Sequence, residues 1–389
     1  MRFLHRDGTV VHVAYCTNVH PAEDLDGVLA QLARFGEPVR DRLGADRLGL
    51  GLWLARDVAS ALASDPAAVE RLRAELDARG LEVVTLNAFP YKGFHDPVVK
   101  RAVYSPDWSE RSRLRYTLDV AAVLARLMPG DARRGSVSTL PLAWRTPWDH
   151  DRTEAARRHL AELADGLAKL SAETGRVVRV AMEPEPGCVV ETTGQAAERL
   201  AAVDTEWIGV CLDVCHLAVA FEDPREALAR LGAAGLPVVK TQASCALHVD
   251  DPADPATRAE LARFDERRFL HQTREDGPDG VLAADDLDEA LAGGLPDRGP
   301  WRVHFHLPLH AAPQPPLAST SAVLSDTLDA LLGGPAALTD HVEVETYTWQ
   351  VLPEGSRPSG DDGLVQGLAA ELDWTRARLL ALGLEEITS

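Results

Sequence analysis

The chain has 389 residues, 46% of them hydrophobic, and a formal net charge of −20 from 40 basic and 60 acidic side chains. That length exceeds one average domain of ~150 residues but suits a single barrel with insertions, and the apolar content can fill its core. So acidic a balance argues against a nucleic-acid or anionic-membrane binder, either of which carries a basic face.

In chain order, short apolar runs alternate with amphipathic ones. VHVAYC (11–16), RLGLGLWL (47–54) and LEVVTLNAF (81–89) come first, with the helical pattern DPAAVERLRAELDARG (65–80) between the last two. GSVSTLPL (135–142) precedes a predicted helix over 153–175, which opens on Thr153 as a cap and closes on Gly175. VVRVAMEPEP (177–186), IGVCLDVCH (208–216), the helical DPREALARLGAAG (223–235) and LPVVKTQAS (236–244) follow. Two late runs are WRVHFHLPLH (301–310) and HVEVETYTW (341–349). Near-continuous apolar strands separated by helices call for a parallel sheet covered on both faces. With no GxGxxG after the first run, the repeat predicts a closed (β/α)8 TIM barrel rather than a dinucleotide fold.

The runs exceed eight by one. The eighth barrel strand is placed at 342–346, and 302–307 becomes an extra strand in an insertion over about 245–335, rich in turn chemistry such as DDPADP and REDGPDG. The expected organisation is one domain over 1–389, with the barrel over about 10–350 and an outer amphipathic helix over 361–383. No run of ~18 apolar residues predicts a membrane span, and the opening MRFLHRDGTVVHVAYC has no apolar leader. Cys16, Cys188, Cys211, Cys215 and Cys245, odd in number and without CxxC spacing, read as reduced thiols of a cytoplasmic protein.

In a barrel of this kind, chemistry gathers at the carboxyl ends of the strands. Those ends carry Asn18 and His20, Trp53, Asn87, Thr139, Glu183 and Glu185, Asp213 and His216, Lys240 and Gln242, His304 and His306, and Glu343 and Glu345. Several have a plainer reading. Asp213 could cap the next helix, EPEP could be a polar turn, and His304 and His306, on one face of a strand by its period of two, could be a hydrogen-bonded core pair. Glu343 and Glu345 also share a face, and two buried carboxylates without a cation are costly. Carboxylates and neutral imidazoles converging at one mouth point to a divalent ion with oxygen and nitrogen ligands, whether zinc, manganese, cobalt or magnesium.

GVCLDVCHLAVA (209–220) resembles the sixth-strand segment of the xylose-isomerase-like barrels, which include sugar phosphate isomerases and epimerases and endonuclease IV. The set YCTNVHP, LNAFPYKGFH, EPEPG, LDVCH, HFHLPLH and VEVETYTW resembles, more closely, the EboE-like members of the ebo gene clusters, which are associated with metabolite traffic. The resemblance implies Glu183, Asp213, His216 and Glu345 as metal ligands. The usual seventh-strand histidine is replaced by Gln242, so His304 or His306 is expected to take its place, His306 being favoured as the one nearer the strand's end and His304 then meeting substrate. Trp53 and Asn87 stand where endonuclease IV has histidines, which speaks against a trinuclear zinc site and DNA repair.

The function so implied is isomerisation or epimerisation of a small, polyhydroxylated sugar or sugar derivative through a metal-bound enediolate. Glu183 and Glu345 would move the proton and Lys240 would stabilise the developing oxyanion. Asn18, His20, Trp53, Asn87, Glu185, Gln242 and His304 would contact substrate, with Phe89 and Trp349 as further apolar walls. A metal-containing metabolite binder without turnover and a metal-dependent hydrolase are the alternatives.

Overall fold

The computed structural model describes residues 1–311 and 313–387. Eight parallel strands close on themselves: β1 (Val10–Cys16), β2 (Leu48–Trp53), β3 (Leu81–Asn87), β4 (Arg134–Thr139), β5 (Val177–Met182), β6 (Ile208–Asp213), β7 (Val238–Ala243) and β8 (His341–Val344). Closure is made by β8 on β1, with His341 opposite His12 and Val344 opposite Tyr15. The expected (β/α)8 barrel is therefore present. Strands such as LGLGLW are buried along their whole length because helices cover them outside and side chains fill them inside.

The helices follow their caps with one adjustment. Asp65 and Asp223 cap helices Pro66–Ala78 and Pro224–Ala233, each with proline in the first turn. The helix expected to open at Thr153 begins at His150, because the Asp149 carboxylate accepts from Arg152 N and recruits an earlier turn. It ends at Gly175, which supplies the left-handed φ of 67° that terminates the helix.

Between β7 and β8 the chain builds a second sheet of five short antiparallel strands: Leu247–Val249, Thr273–Gly277, Gly280–Ala284, Trp301–Val303 and Ala318–Ser319. Helix Ser321–Leu332 then packs on Pro224–Ala233, so it belongs to the barrel's outer layer and the insertion ends earlier than expected. The strand expected over 302–307 stops at Val303, where the backbone turns and Phe305 N–H donates to Val303 O at 2.8 Å. Helix Gly360–Ala381 packs against the outer helix Glu37–Leu43.

Candidate active site

Glu183 and Glu345 each stand one residue past a barrel strand, and Asp213 is the last residue of β6. All three are buried, and each offers an oxygen within 4.8 Å of the others. Asp213 does two jobs. Its Oδ1 caps helix Val214–Val219 by accepting from His216 N at 2.9 Å and also accepts from Ser244 Oγ at 2.9 Å, while Oδ2 has no hydrogen-bond partner among the described residues. Glu345 Oε1 accepts from the Asn18 and Asn87 amides at 2.7 and 3.0 Å. Glu183 Oε2 has no hydrogen-bond partner among the described residues. Burial, then repulsion from neighbouring carboxylates, pushes the Glu183 and Glu345 carboxyls well above the usual range.

Three imidazoles complete the floor. His216 Nε2 lies 3.1 Å from His304 Nε2, which lies 3.3 Å from His306 Nε2. Each ring sets its Nδ1 against a carbonyl-type oxygen: Pro184 O at 2.9 Å, the Gln272 amide oxygen at 2.8 Å and Glu345 O at 2.8 Å. Those acceptors fix the proton on Nδ1 and leave three Nε2 lone pairs facing inward. Burial holds all three rings neutral, with His216 lowered to about 4. Lone pairs at such distances repel unless a cation lies among them. Their spacing suits a tetrahedral ion, whose ~2.0–2.1 Å bonds to nitrogen set donors about 3.3 Å apart. Asp213, His216 and His306 form a second group within 4.8 Å, and Glu185, His216 and His304 a third. The unpartnered Glu183 and Asp213 oxygens and the inward lone pairs fit a divalent cation.

Residues 41–272 match the family described as the xylose isomerase-like TIM barrel, more than half of the chain. The chain belongs to that family. No curated protein matches this xylose isomerase-like barrel. Among solved structures it is similar to an L-ribulose 3-epimerase (12% identity, TM-score 0.52, covering 96% of this chain and 95% of that one). It is also similar to the D-psicose 3-epimerase of Clostridium cellulolyticum H10 solved with D-tagatose (14%, 0.50, 95% and 99%). A third is a candidate sugar phosphate isomerase/epimerase of Anabaena variabilis ATCC 29413 (14%, 0.51, 96% and 99%). At these identities the likeness is one of fold. The family match ends before His304, His306 and Glu345, so the insertion and last strand add their donors from outside it.

Of the residues singled out in the sequence, Asn18, Asn87, Glu183, Glu185, His216, His304, His306 and Glu345 line one cavity. Both histidines of HFH reach it, although the strand expected to present them has ended; Phe305 between them turns away and stacks on His271. Other expectations fail on geometry. Lys240 is not an oxyanion donor: its Nζ sits 2.5 Å from Glu343 Oε2 within the barrel, and both side chains are wholly buried. The cation that the pair of glutamates required is thus, for Glu343, an ammonium. His20 bonds to Tyr15 Oη at 3.2 Å and stacks on Phe35, away from the cavity. Trp53 donates its indole N–H to Pro90 O and packs on Phe94. Gln242 is buried but does not line the cavity. Trp349 packs over Gly367 and donates to Glu371.

Sequence reasoning missed Tyr104, Gln272 and Tyr347. Tyr104 Oη donates to Glu185 at 2.6 Å and accepts from the Gln272 amide at 2.9 Å. Burial raises the Glu185 carboxyl to about 8, against the hydrogen bonds it accepts from Tyr104 Oη and, at 3.4 Å, from Gln272 Nε2. Tyr347 Oη faces His304 Nε2 at 3.4 Å. All three lie outside the barrel strands and carry no periodic signal; only Tyr347, two residues after Glu345, stood within a visible motif, VEVETYTW.

Proposed function

We propose that the protein is a divalent-metal-dependent isomerase or epimerase acting on a small hydroxy-carbonyl compound of the sugar class. The observation that carries this reading is the convergence of Glu183, Asp213 and Glu345 within 4.8 Å, beside imidazoles whose lone pairs face inward. Glu183, Asp213, His216, His306 and Glu345 would hold the ion, with His304 beside them. A divalent ion in that place supplies a Lewis acid for the substrate carbonyl.

The chain's own residues supply the rest. One of Glu183 and Glu345, as the anion, takes the proton from the carbinol carbon, giving an enediolate; the other, protonated, returns a proton to carbon or oxygen. Asn18 and Asn87 fix the Glu345 carboxylate by gripping one oxygen, which leaves the other for the proton. Glu185, held by Tyr104 and Gln272, is placed to accept a substrate hydroxyl.

The test is deuterium uptake from D2O into the carbinol carbon of ketoses, ketose phosphates and simpler α-hydroxy ketones, with Mn²⁺, Co²⁺ or Zn²⁺ added. Uptake should occur with the unaltered protein and fall about 10²–10⁴-fold in Glu345→Gln, whose amide oxygen still serves the ion. A hydrolase or a passive metabolite binder incorporates no deuterium, and absence of uptake across the panel would sink the proposal. The segments LNAFPYKGFH, HFHLPLH and VEVETYTW support an EboE-like place in metabolite traffic. Five buried, unpaired cysteines support a reducing, cytoplasmic setting.

A further inference from the structure

The cavity has two unlike halves. Its floor carries the carboxylates, imidazoles and asparagine amides; its roof is formed by Phe89, Phe94, Val99, Val103, Phe269 and Leu270. Phe94, Phe269 and Tyr347 come from the loop after β3, the insertion and the segment after β8, yet pack on one another with ring centroids 4.9–5.4 Å apart. Tyr347 also lies 4.7 Å from the His306 ring, so the aromatic cluster begins where the polar floor ends.

The polar atoms of the upper half are already committed. Lys100 Nζ pairs with Asp286 at 2.5 Å and donates to Glu266 O at 3.2 Å. Tyr104 Oη is shared between Glu185 and Gln272, and Tyr347 Oη faces His304. The cavity offers about 50 Å³ of free volume, and what a substrate touches on its upper side is ring faces and branched aliphatic carbons.

A bare ketose carries a hydroxyl on almost every carbon. Those placed under this roof would give up water without gaining a partner. A compound with its oxygens at one end and an apolar group at the other meets both halves without loss. We infer that the substrate is an α-hydroxy ketone or aldehyde bearing a compact aromatic or branched-alkyl group, seated with its oxygens on the floor and that group beneath Phe94, Phe269 and Tyr347. This names the substrate class of the same site and rests on the proton-transfer reading for the reactive end.

The experiment is calorimetric titration of the protein, with Mn²⁺ added, by 2-hydroxyacetophenone, dihydroxyacetone and D-fructose. All three share a hydroxymethyl ketone and differ in what lies beyond it. The phenyl ketone should bind at least tenfold more tightly than either polyol, and Phe269→Asn should shrink that preference below threefold. Where Phe269→Asn does not fold, the near-isosteric Val103→Thr should still halve it. Dihydroxyacetone or fructose binding as tightly as the phenyl ketone overturns the inference, as does undetectable binding of the phenyl ketone. Deuterium uptake separates the two proposals. Preference for the phenyl ketone with no exchange in any ligand removes the proton transfer and keeps the substrate class. Exchange in fructose, together with its tighter binding, does the reverse.

Discussion

A single ammonium decides how the two glutamates of VEVE divide their labour. Residues 343 and 345 share a face, but one stands a layer deeper than the other, and the deeper one meets Lys240 rather than the cavity. Burial alone would lower the lysine's pKa; the adjoining Glu343 carboxylate outweighs that and raises it, so the ammonium keeps its charge. Gly51 makes the room, since a Cβ there would lie 1.3 Å from Glu343 Oε1. Lys240→Met should therefore cost about 3–5 kcal/mol in urea unfolding, because it strands a buried carboxylate. Adding Glu343→Leu should recover most of that loss, a result an oxyanion-stabilising lysine would not give. Gly51→Ala should cost about 1–3 kcal/mol through forced repacking. None of this was legible in the sequence: Lys240 reads there as a strand-end lysine, whereas it lies inside β7 and its partner sits on the neighbouring β8.

Elements were more legible than their ends. Most barrel strands read as near-continuous apolar runs because both faces are buried, and the helices within 65–80 and 223–235 read as amphipathic stretches between Asp and Gly. What escaped were features set by tertiary packing, such as the turn at Phe305 that ends the HFH strand early. Likewise, the short strand Arg2–Leu4 precedes the barrel and is fixed to it by Arg2, whose guanidinium donates to both oxygens of Glu82 on β3. Burial pushes the Glu82 carboxyl up, but His12 and Arg2 outweigh it and bring it down to about 2. The sign follows. A depressed folded pKa gives stability that is full above the unfolded value near 4.5 and is lost as pH falls towards 2. Melting temperature should accordingly drop between pH 4.5 and 2, and Glu82→Gln should start lower at pH 7 but show a shallower acid decline. Equal slopes in the two proteins would show that Glu82 is not the group responsible.

At the scale of the whole molecule, the candidate ligands come from β5, β6, the insertion and the end of β8, and only folding brings them together. The carboxylates were readable because barrel strands point their ends at one mouth. The partnership of His304 with His216 was not, because the insertion's route over the barrel leaves no trace in local periodicity. The consequence is thermodynamic. In the unfolded chain these donors are scattered, so an ion bound by them stabilises only the folded state, by about 2.7 kcal/mol when free metal exceeds its dissociation constant a hundredfold. Stripping with EDTA should lower the melting temperature, and readdition of Mn²⁺, Co²⁺ or Zn²⁺ should restore it in proportion to the bound metal measured by elemental analysis. Asp213→Ala should lower metal content and remove most of that response, while also losing the cap on helix Val214–Val219. His306→Ala separates the two effects, because its ring caps no helix and its Nδ1 bonds only to Glu345 O. In that variant the metal-dependent rise should shrink while the melting temperature in EDTA stays close to that of the unaltered protein. An undiminished rise in His306→Ala would remove this histidine from the ligand set and leave the ion to Glu183, Asp213, His216 and Glu345.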